Sequence, residues 1–462
     1  MIRSHRNSSA TRKPAKPAPK LPESAQPILV QIEKPVYGGA FLARVEGKAA
    51  FVPLALPGEQ ARVRIVDEKR GYATAEIDEI VTPAPQRIVP ACPHFGACGG
   101  CNYQHTDYAT QLAFKRDILR ETLERGGIRT PEQIEVLAAA NNSQSWAYRN
   151  RIRLAFDAQG QPGYRARRSS AVVPIAECPI AAPLLVNAAQ TFADLLRAFR
   201  SSLRPAEISF FCDADETALL ASVFANNPDV KQFAEFALAA SKRIPQLKGM
   251  ELLAMPNASQ RDRNPFPKSI AQWGQPSLAY RAAGFDYRVD HGAFFQVNRW
   301  LVDELVTRVT AGRKGSLAWD LFAGVGLFAR KLTESFKAVV AVESAPPATA
   351  ALAENLRGTT GSALRASTLE FLERNTGKHR ANSPVPDFIV VDPPRTGLGP
   401  DATELLADIG APALTYVSCD PATLARDLRI LLASGYAIEK LTVADLFPQT
   451  FHLETVVQLA RS

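Results

Sequence analysis

Cys419 closes the apolar run LTYVSC and is followed by Asp-Pro, where a helix-like stretch begins. A free cysteine inside a strand ordinarily packs as a small hydrophobe. At the carboxyl end of a strand it instead faces the edge where open α/β sheets hold ligands, and a thiolate there is a nucleophile. Two carboxylates share this kind of setting. Asp392 ends the run FIVVD ahead of two prolines, placed to accept an N–H from a planar substrate, and Glu454 opens the terminal run ETVVQLA. A carboxylate near a nucleophilic thiol is a candidate general base if the fold brings it within proton-transfer reach. Together these types describe nucleophilic catalysis with proton transfer.

Two further groups bring in cofactors. In SLAWDLFAGVGLFARKL an apolar strand runs into Gly324-Val-Gly326-Leu-Phe-Ala329 and then a helix, the G-x-G-x-x-G/A pattern in which glycines let a ligand approach a helix N-terminus. The next strand, AVVAVE, ends in Glu343, 19 residues after Gly324, positioned for ribose hydroxyls. Cys92, Cys98 and Cys101 cluster in CPHFGACGGC, with Cys178 in AECPI further on. Four such thiolates hold zinc or an iron–sulfur cluster, and spacing alone does not choose between them.

The elements that position these groups follow from the patterning. Residues 28–81 give short β-rich runs separated by Gly-Gly, Glu-Gly, Pro-Gly and Arg-Gly turns, the signature of a small barrel. Tyr37, Phe41, Arg44, Arg70 and Tyr72 are its candidate stacking and phosphate groups. TDYATQLAFKRDILRETLERGG reads as a helix over 105–127, expected to pack on the catalytic domain. Between 132 and 290 the signal is mixed, with strands expected at 151–156, 206–212, 218–224 and 285–289. NRWLVDELVTRVTAG predicts a helix capped by Asn298, after which strands and helices alternate as in a doubly wound sheet. Four segments result: a disordered basic tail over 1–26, a barrel over 27–86, a β-rich central domain over 87–290 and an α/β domain over 291–462.

The formal charge of +8 is deceptive, because six positive charges precede Glu23 and leave +2 for the rest. Any nucleic-acid partner must therefore be recognised by a local patch or motif. The tail lacks a secretory apolar core and no run reaches the length of a membrane span, so a cytoplasmic protein without membrane contact is expected.

Taken together, GAFFQVN (292–298), DLFAGVG (320–326), VVDPPRTG (390–397), YVSCDPATLARD (416–427) and FPQTFHLETV (447–456) resemble the successive motifs of the RNA uracil-C5 methyltransferase family. The barrel resembles the TRAM domain of its ribosomal members, and the four cysteines look like that subgroup's [4Fe–4S] ligands. The resemblance implies a Rossmann-like class I methyltransferase domain that uses S-adenosylmethionine, and a monomer acting on RNA, with 23S rRNA favoured over tRNA. By position it makes Cys419 the nucleophile and Glu454 the proton acceptor, and assigns Gln296, Phe322, Glu343 and Asp392, with Gly324 and Gly326, to the cofactor and uracil. The sequence departs from the family at Ala323, where many members have Cys, and at Leu327, where many have Asn. Two rivals use less of this set: an iron–sulfur oxidoreductase with NAD at the Gly324 loop, and a non-catalytic RNA-binding protein.

Overall fold

The computed structural model describes residues 26–199, 203–256, 267–377 and 384–461. The expectation of a disordered tail falls almost wholly outside them. Two compact units emerge among the described residues: one holds Ala40–Ala84 and those before Pro35, the other Pro35–Gly39 and those after Ala84. No helix among the described residues is long and apolar enough to cross a membrane.

In the first unit, Ile28–Val36, Ala40–Val45, Lys48–Pro53, Gln60–Glu68 and Tyr72–Thr82 close a barrel in which the last strand lies between the third and fourth. Glu46 and Gly47 both take positive φ (51° and 78°) in the two-residue hairpin turn, whose twist matches that of the strands it joins. Two of the proposed contact groups part company here. Phe41 is wholly buried as barrel core, whereas Tyr72 is exposed, its ring 5.6 Å from that of Phe51. Phe41 therefore fills the barrel and is removed from the candidate stacking groups.

The second unit is built on an eight-stranded sheet, in the order Gly361–Arg365, Phe336–Glu343, Gly315–Leu321, Phe388–Val391, Ala413–Ser418, Glu454–Arg461, Tyr436–Ala444, Glu135–Leu137. The first five are mutually parallel, and the chain winds outward in both directions from the gap between Gly315–Leu321 and Phe388–Val391. That gap is a topological switch point, where such sheets bind ligands. Phe388–Val391 is buried along its whole length, as a strand covered on both faces must be. Glu454–Arg461 runs antiparallel beside Ala413–Ser418.

A seven-stranded sheet includes Arg151–Phe156, Pro205–Cys212, Leu219–Ala225, Leu247–Ala254 and Lys268–Gly274. Helices Pro183–Ala198 and Val230–Arg243 cover one face, burying Phe192, Phe210, Phe233 and Phe236. The ribbon Ser277–Ala282/Phe285–Asp290 packs Tyr280, Tyr287 and Val289 into the core of the eight-stranded sheet, so that core begins before residue 291. Its apolar side chains alternate, giving a two-stranded ribbon one oily face to bury.

The helix Tyr108–Arg125 starts at Asp107, whose carboxylate accepts the Thr110 N–H at 2.8 Å. It docks through buried polar groups: Gln111 Nε2 donates to Gln449 Oε1 at 2.9 Å, and Lys115 pairs with Asp445. The helix expected at Asn298 begins later, over Val302–Thr310. Asn298 Oδ1 instead accepts the N–H groups of Trp300 and Leu301, while its amide donates to Leu446 O at 3.1 Å. The side chain serves the turn that precedes the helix.

Candidate active site

Strand ends assemble the site. Asp392 follows Phe388–Val391, Cys419 follows Ala413–Ser418, and Phe322 follows Gly315–Leu321, all at the carboxyl edge. Glu454 reaches this edge from the opposite direction. Its strand is antiparallel to Ala413–Ser418 with Ser418 opposite Thr455, so the first residue of one strand lies beside the residue that leaves the other. Residues 35 positions apart are joined by register alone.

Cys419 also precedes a helix N-terminus. Asp420 caps Pro421–Ala433 by accepting the Ala422 and Thr423 N–H groups, each at 3.0 Å, and Pro421 supplies a first-turn φ without needing a partner for an N–H. Ser418 Oγ and Asp420 bond across the cysteine, and the Tyr37 hydroxyl donates to Cys419 O at 3.2 Å. The backbone carrying the thiol is held on both sides.

Three acids crowd together. Burial pushes the Cys419 thiol up to about 12, with Glu454 and Asp392 adding to the rise. Burial and the Asp392 charge hold Glu454 well above the usual carboxylate range, and burial raises Asp392 to about 7. Close carboxyl groups cannot readily ionise together. Arg395 opposes this repulsion, lowering both Cys419 and Glu454, and its guanidinium donates to His452 Nδ1 at 3.2 Å. His452 stays neutral, pushed down to about 3 by burial and then by Arg395.

A pocket beside the acids is lined by Phe294, Gln296, Phe322, Gly324, Leu327 and Asp392, among others. Gln296 Nε2 lies 3.5 Å from Asp392 Oδ2, which ties the two expected contact residues together. Phe322 holds φ at 65°, uncommon for a side chain of its size, and Gly326 takes 91° at the start of helix Leu327–Leu332. A Cβ on Gly326 would lie 2.6 Å from Leu352 Cδ1. Glu343 has a role that spacing did not show. Its Oε2 accepts the Gly324 N–H at 2.9 Å, and its Oε1 those of Ser344 and Ala345 at 2.7 Å. With about four acceptor positions on a carboxylate, Oε2 keeps capacity for a hydroxyl. Ala323 and Leu327, the two departures from the family pattern, both line this pocket and leave that part of its wall apolar.

The four spaced cysteines do converge. Cys92, Cys98, Cys101 and Cys178 line one cavity with His94, Gln104, Arg149 and Tyr164. Among the described residues, however, no three His, Cys, Asp or Glu side chains form a ready set for a metal ion. Burial raises all four thiols, Cys101 to about 12. Gly100 N–H donates to Cys98 Sγ at 3.4 Å, and Nε of Arg149 is buried without a hydrogen-bond partner. Cys212 is buried in the central sheet, away from this cavity.

Two site groups escaped the sequence reading. Arg395 sits three residues after Asp392 in a run read only for its aspartate and prolines. Asp320, one strand residue before Leu321, is fully buried and pushed up to about 8, first by burial and then by Asp392 and Glu343. Its Oδ2 accepts the Ala329 N–H at 2.7 Å, and Oδ1 has no partner. An acid interrupting the apolar run SLAWDLF was the available signal.

Residues 275–462 match the family model for tRNA (uracil-5-)-methyltransferase, and residues 24–77 match the TRAM domain. The chain is 32% identical to an uncharacterized RNA methyltransferase of Nitratidesulfovibrio vulgaris, over 92% of this chain and 93% of the other. It is 31% identical to a 23S rRNA (uracil(1939)-C(5))-methyltransferase of Klebsiella pneumoniae, again over 92% and 93%. The fold matches the Pyrococcus abyssi tRNA (uracil-54, C5)-methyltransferase solved with S-adenosyl-L-homocysteine. The TM-score is 0.74 at 22% identity, with coverage of 93% of this chain and 99% of that one.

Proposed function

The chain belongs to the RNA uracil-C5 methyltransferase family, S-adenosylmethionine-dependent enzymes, and on that premise we propose that it methylates carbon 5 of a specific uridine in 23S rRNA through a covalent Cys419–uracil intermediate. The observation that carries the proposal is the strand register that sets Glu454 beside Cys419 at the carboxyl edge of the parallel strands, with Asp392 on the adjoining strand end. The rRNA substrate is taken from the Klebsiella pneumoniae relative.

Carbon 5 of uracil is too weak a nucleophile to take a methyl group directly. Cys419 thiolate adds to carbon 6, and the electron pair passes to carbon 5 and the O4 carbonyl as an enolate. S-adenosylmethionine supplies an electrophilic methyl group on a sulfonium, which leaves as a neutral thioether. Glu454 then takes the carbon 5 proton, the carbon 6–sulfur bond breaks, and the thiolate and the aromatic ring return together. Asp392, buttressed by Gln296, is assigned the uracil and the cofactor edge. The raised pKa of Glu454, set by burial and then by Asp392, makes it a stronger proton acceptor than an ordinary carboxylate. The base must leave its stack to reach this edge.

For the methyl donor we assign the Phe322–Gly326 turn, with Gln296 and Asp392 at the pocket wall and Glu343 toward the ribose. The left-handed turn and the bare backbone at Gly324 leave room for a ligand that a side chain would fill. For Cys92, Cys98, Cys101 and Cys178 we propose a [4Fe–4S] cluster, supported by their shared cavity and by an unpartnered guanidinium Nε facing an all-thiolate donor set. The domain division we propose is a barrel and a central sheet that hold RNA, and a catalytic sheet that acts on it.

Mapping 5-methyluridine in total RNA from a deletion strain tests the substrate. Loss of one such residue from 23S rRNA is expected; loss from tRNA alone rejects the rRNA assignment.

A further inference from the structure

The face of the central sheet turned away from its two helices carries a built pattern of charge. In Arg151–Phe156, Ile152 and Leu154 point into the helix-covered core, so Arg151 and Arg153 point the other way. Register extends this alternation into two rows, Arg151–Phe211–Leu220 and Arg153–Ser209–Ser222, across three strands. These rows floor a cleft of about 330 Å³, within the size range of ligand sites.

The arginines are fixed in place, and of Arg149, Arg151 and Arg153 only the last is paired with an acid among the described residues, Glu207. The Arg151 guanidinium lies 4.3 Å over the Phe211 ring and Arg153 lies 4.1 Å over Phe224, contacts that order the side chains while leaving N–H edges available. Arg149 and Arg151 both line the cleft, and Nε of Arg151 is buried without a hydrogen-bond partner. Burial alone lowers Arg151 to about 10, with no carboxylate offsetting it. Asp290, the acid in this wall, is held by Arg288 at 2.6 Å, and the exposed Arg153–Glu207 pair at 2.6 Å is open to exchange.

The cleft abuts the reaction site. Residues 290–297 form a shared wall: Asp290, His291, Gly292 and Val297 line the cleft, while Phe294, Phe295 and Gln296 line the methyl-donor pocket. Arg151 Nη1 donates to Ala293 O at 2.7 Å, and Asn150 Nδ2 to Gln296 O at 2.9 Å.

We propose that this cleft, through Arg149, Arg151 and Arg153 with Ser209 and Ser222, binds the sugar–phosphate backbone beside the reacting uridine. The inference rests on the RNA methyltransferase reading above. Forked N–H edges suit a phosphodiester, and stacked guanidinium planes suit an adjacent unpaired base.

The test measures affinity of the full-length protein for fluorescein-labelled oligouridylate as a function of salt, for wild type, Arg153→Gln, Arg151→Gln/Arg153→Gln and Ser222→Glu. Titration with S-adenosylmethionine checks that each variant is folded with its donor pocket intact. Each lost arginine–phosphate contact should flatten the log–log salt slope by about 0.7, the single-strand value. Ser222→Glu, which adds a negative charge from another strand, should weaken binding with donor affinity unchanged. Wild-type slope and affinity in all three variants would overturn the proposal, as would competition by polyglutamate but not by oligouridylate. Failure of the wild type to transfer labelled methyl groups to RNA would instead reject the underlying reading, which separates the two.

Discussion

Cys419, Glu454 and Asp392 hold their protons more tightly in the folded protein than in water, and this has consequences for both stability and rate. Glu454 has a raised folded pKa, so its unfolded form ionises first as pH rises, and the native state binds more protons in that interval. Stability from this group is therefore intact below the ordinary carboxylate pKa and lost as pH climbs toward the folded value. Glu454→Gln, which cannot ionise, should melt higher than wild type at pH 8, and the gap should close near pH 4; thermal melts at the two pH values check this. For the thiol, the thiolate fraction well below a pKa of about 12 rises about tenfold per pH unit. Adduct formation with 5-fluorouridine RNA should accelerate accordingly from pH 6 to 9, and a plateau below pH 8 would mean that Arg395 and the helix terminus outweigh burial.

Single turns and single pairs decide how the elements sit. At Gly326 an alanine would have to occupy the left-handed region, at a cost of roughly 1–2 kcal/mol, and push against Leu352. Gly326→Ala should lower stability by about that amount in denaturant unfolding. Lys115 fixes the Tyr108–Arg125 helix to the loop before Glu454 by pairing with Asp445 and donating to Phe447 O at 2.9 Å, all out of water. Lys115→Met strands the aspartate and should cost about 3–5 kcal/mol in denaturant unfolding. Much at this scale was legible. Runs such as FIVV and AVVAVE announce buried parallel strands, and their last residues mark the ligand edge. What stayed illegible depends on contacts distant in sequence: Asn298 looks like a cap until Leu446 engages its amide, Phe41 looks like a stacking group until the barrel closes over it, and nothing local tells the 277–290 ribbon which core to join. The Arg151/Arg153 alternation acquires meaning only when Ser209 and Ser222 fall into register beside it.

For the molecule as a whole, the charge is concentrated at one end of the chain: six cations precede Glu23, and the remainder is nearly balanced. RNA affinity should fall with salt, and deletion of residues 1–22 should flatten the slope without moving the methylated site; a shifted site would make this segment a recognition element. The cysteine cavity joins the Cys92–Cys101 segment to Cys178. Protein purified without oxygen should be brown and contain iron and sulfide, and Cys212→Ser should leave its metal content unchanged, because that thiol is sealed in the central sheet. One bound zinc and no colour would refute the cluster. Here the spacing singled out four residues that share one cavity, without choosing a metal.

The central claim is that Cys419 and Glu454 act at successive steps on one covalent intermediate, and a denaturing gel of protein incubated with RNA and methyl-labelled S-adenosylmethionine tests it most directly. Glu454→Gln keeps shape and polarity but cannot accept the carbon 5 proton, so addition and methyl transfer should proceed and elimination stall. A retarded protein–RNA band carrying the label is predicted for Glu454→Gln and none for Cys419→Ala. A labelled adduct from Cys419→Ala, or full turnover by Glu454→Gln, would contradict the account.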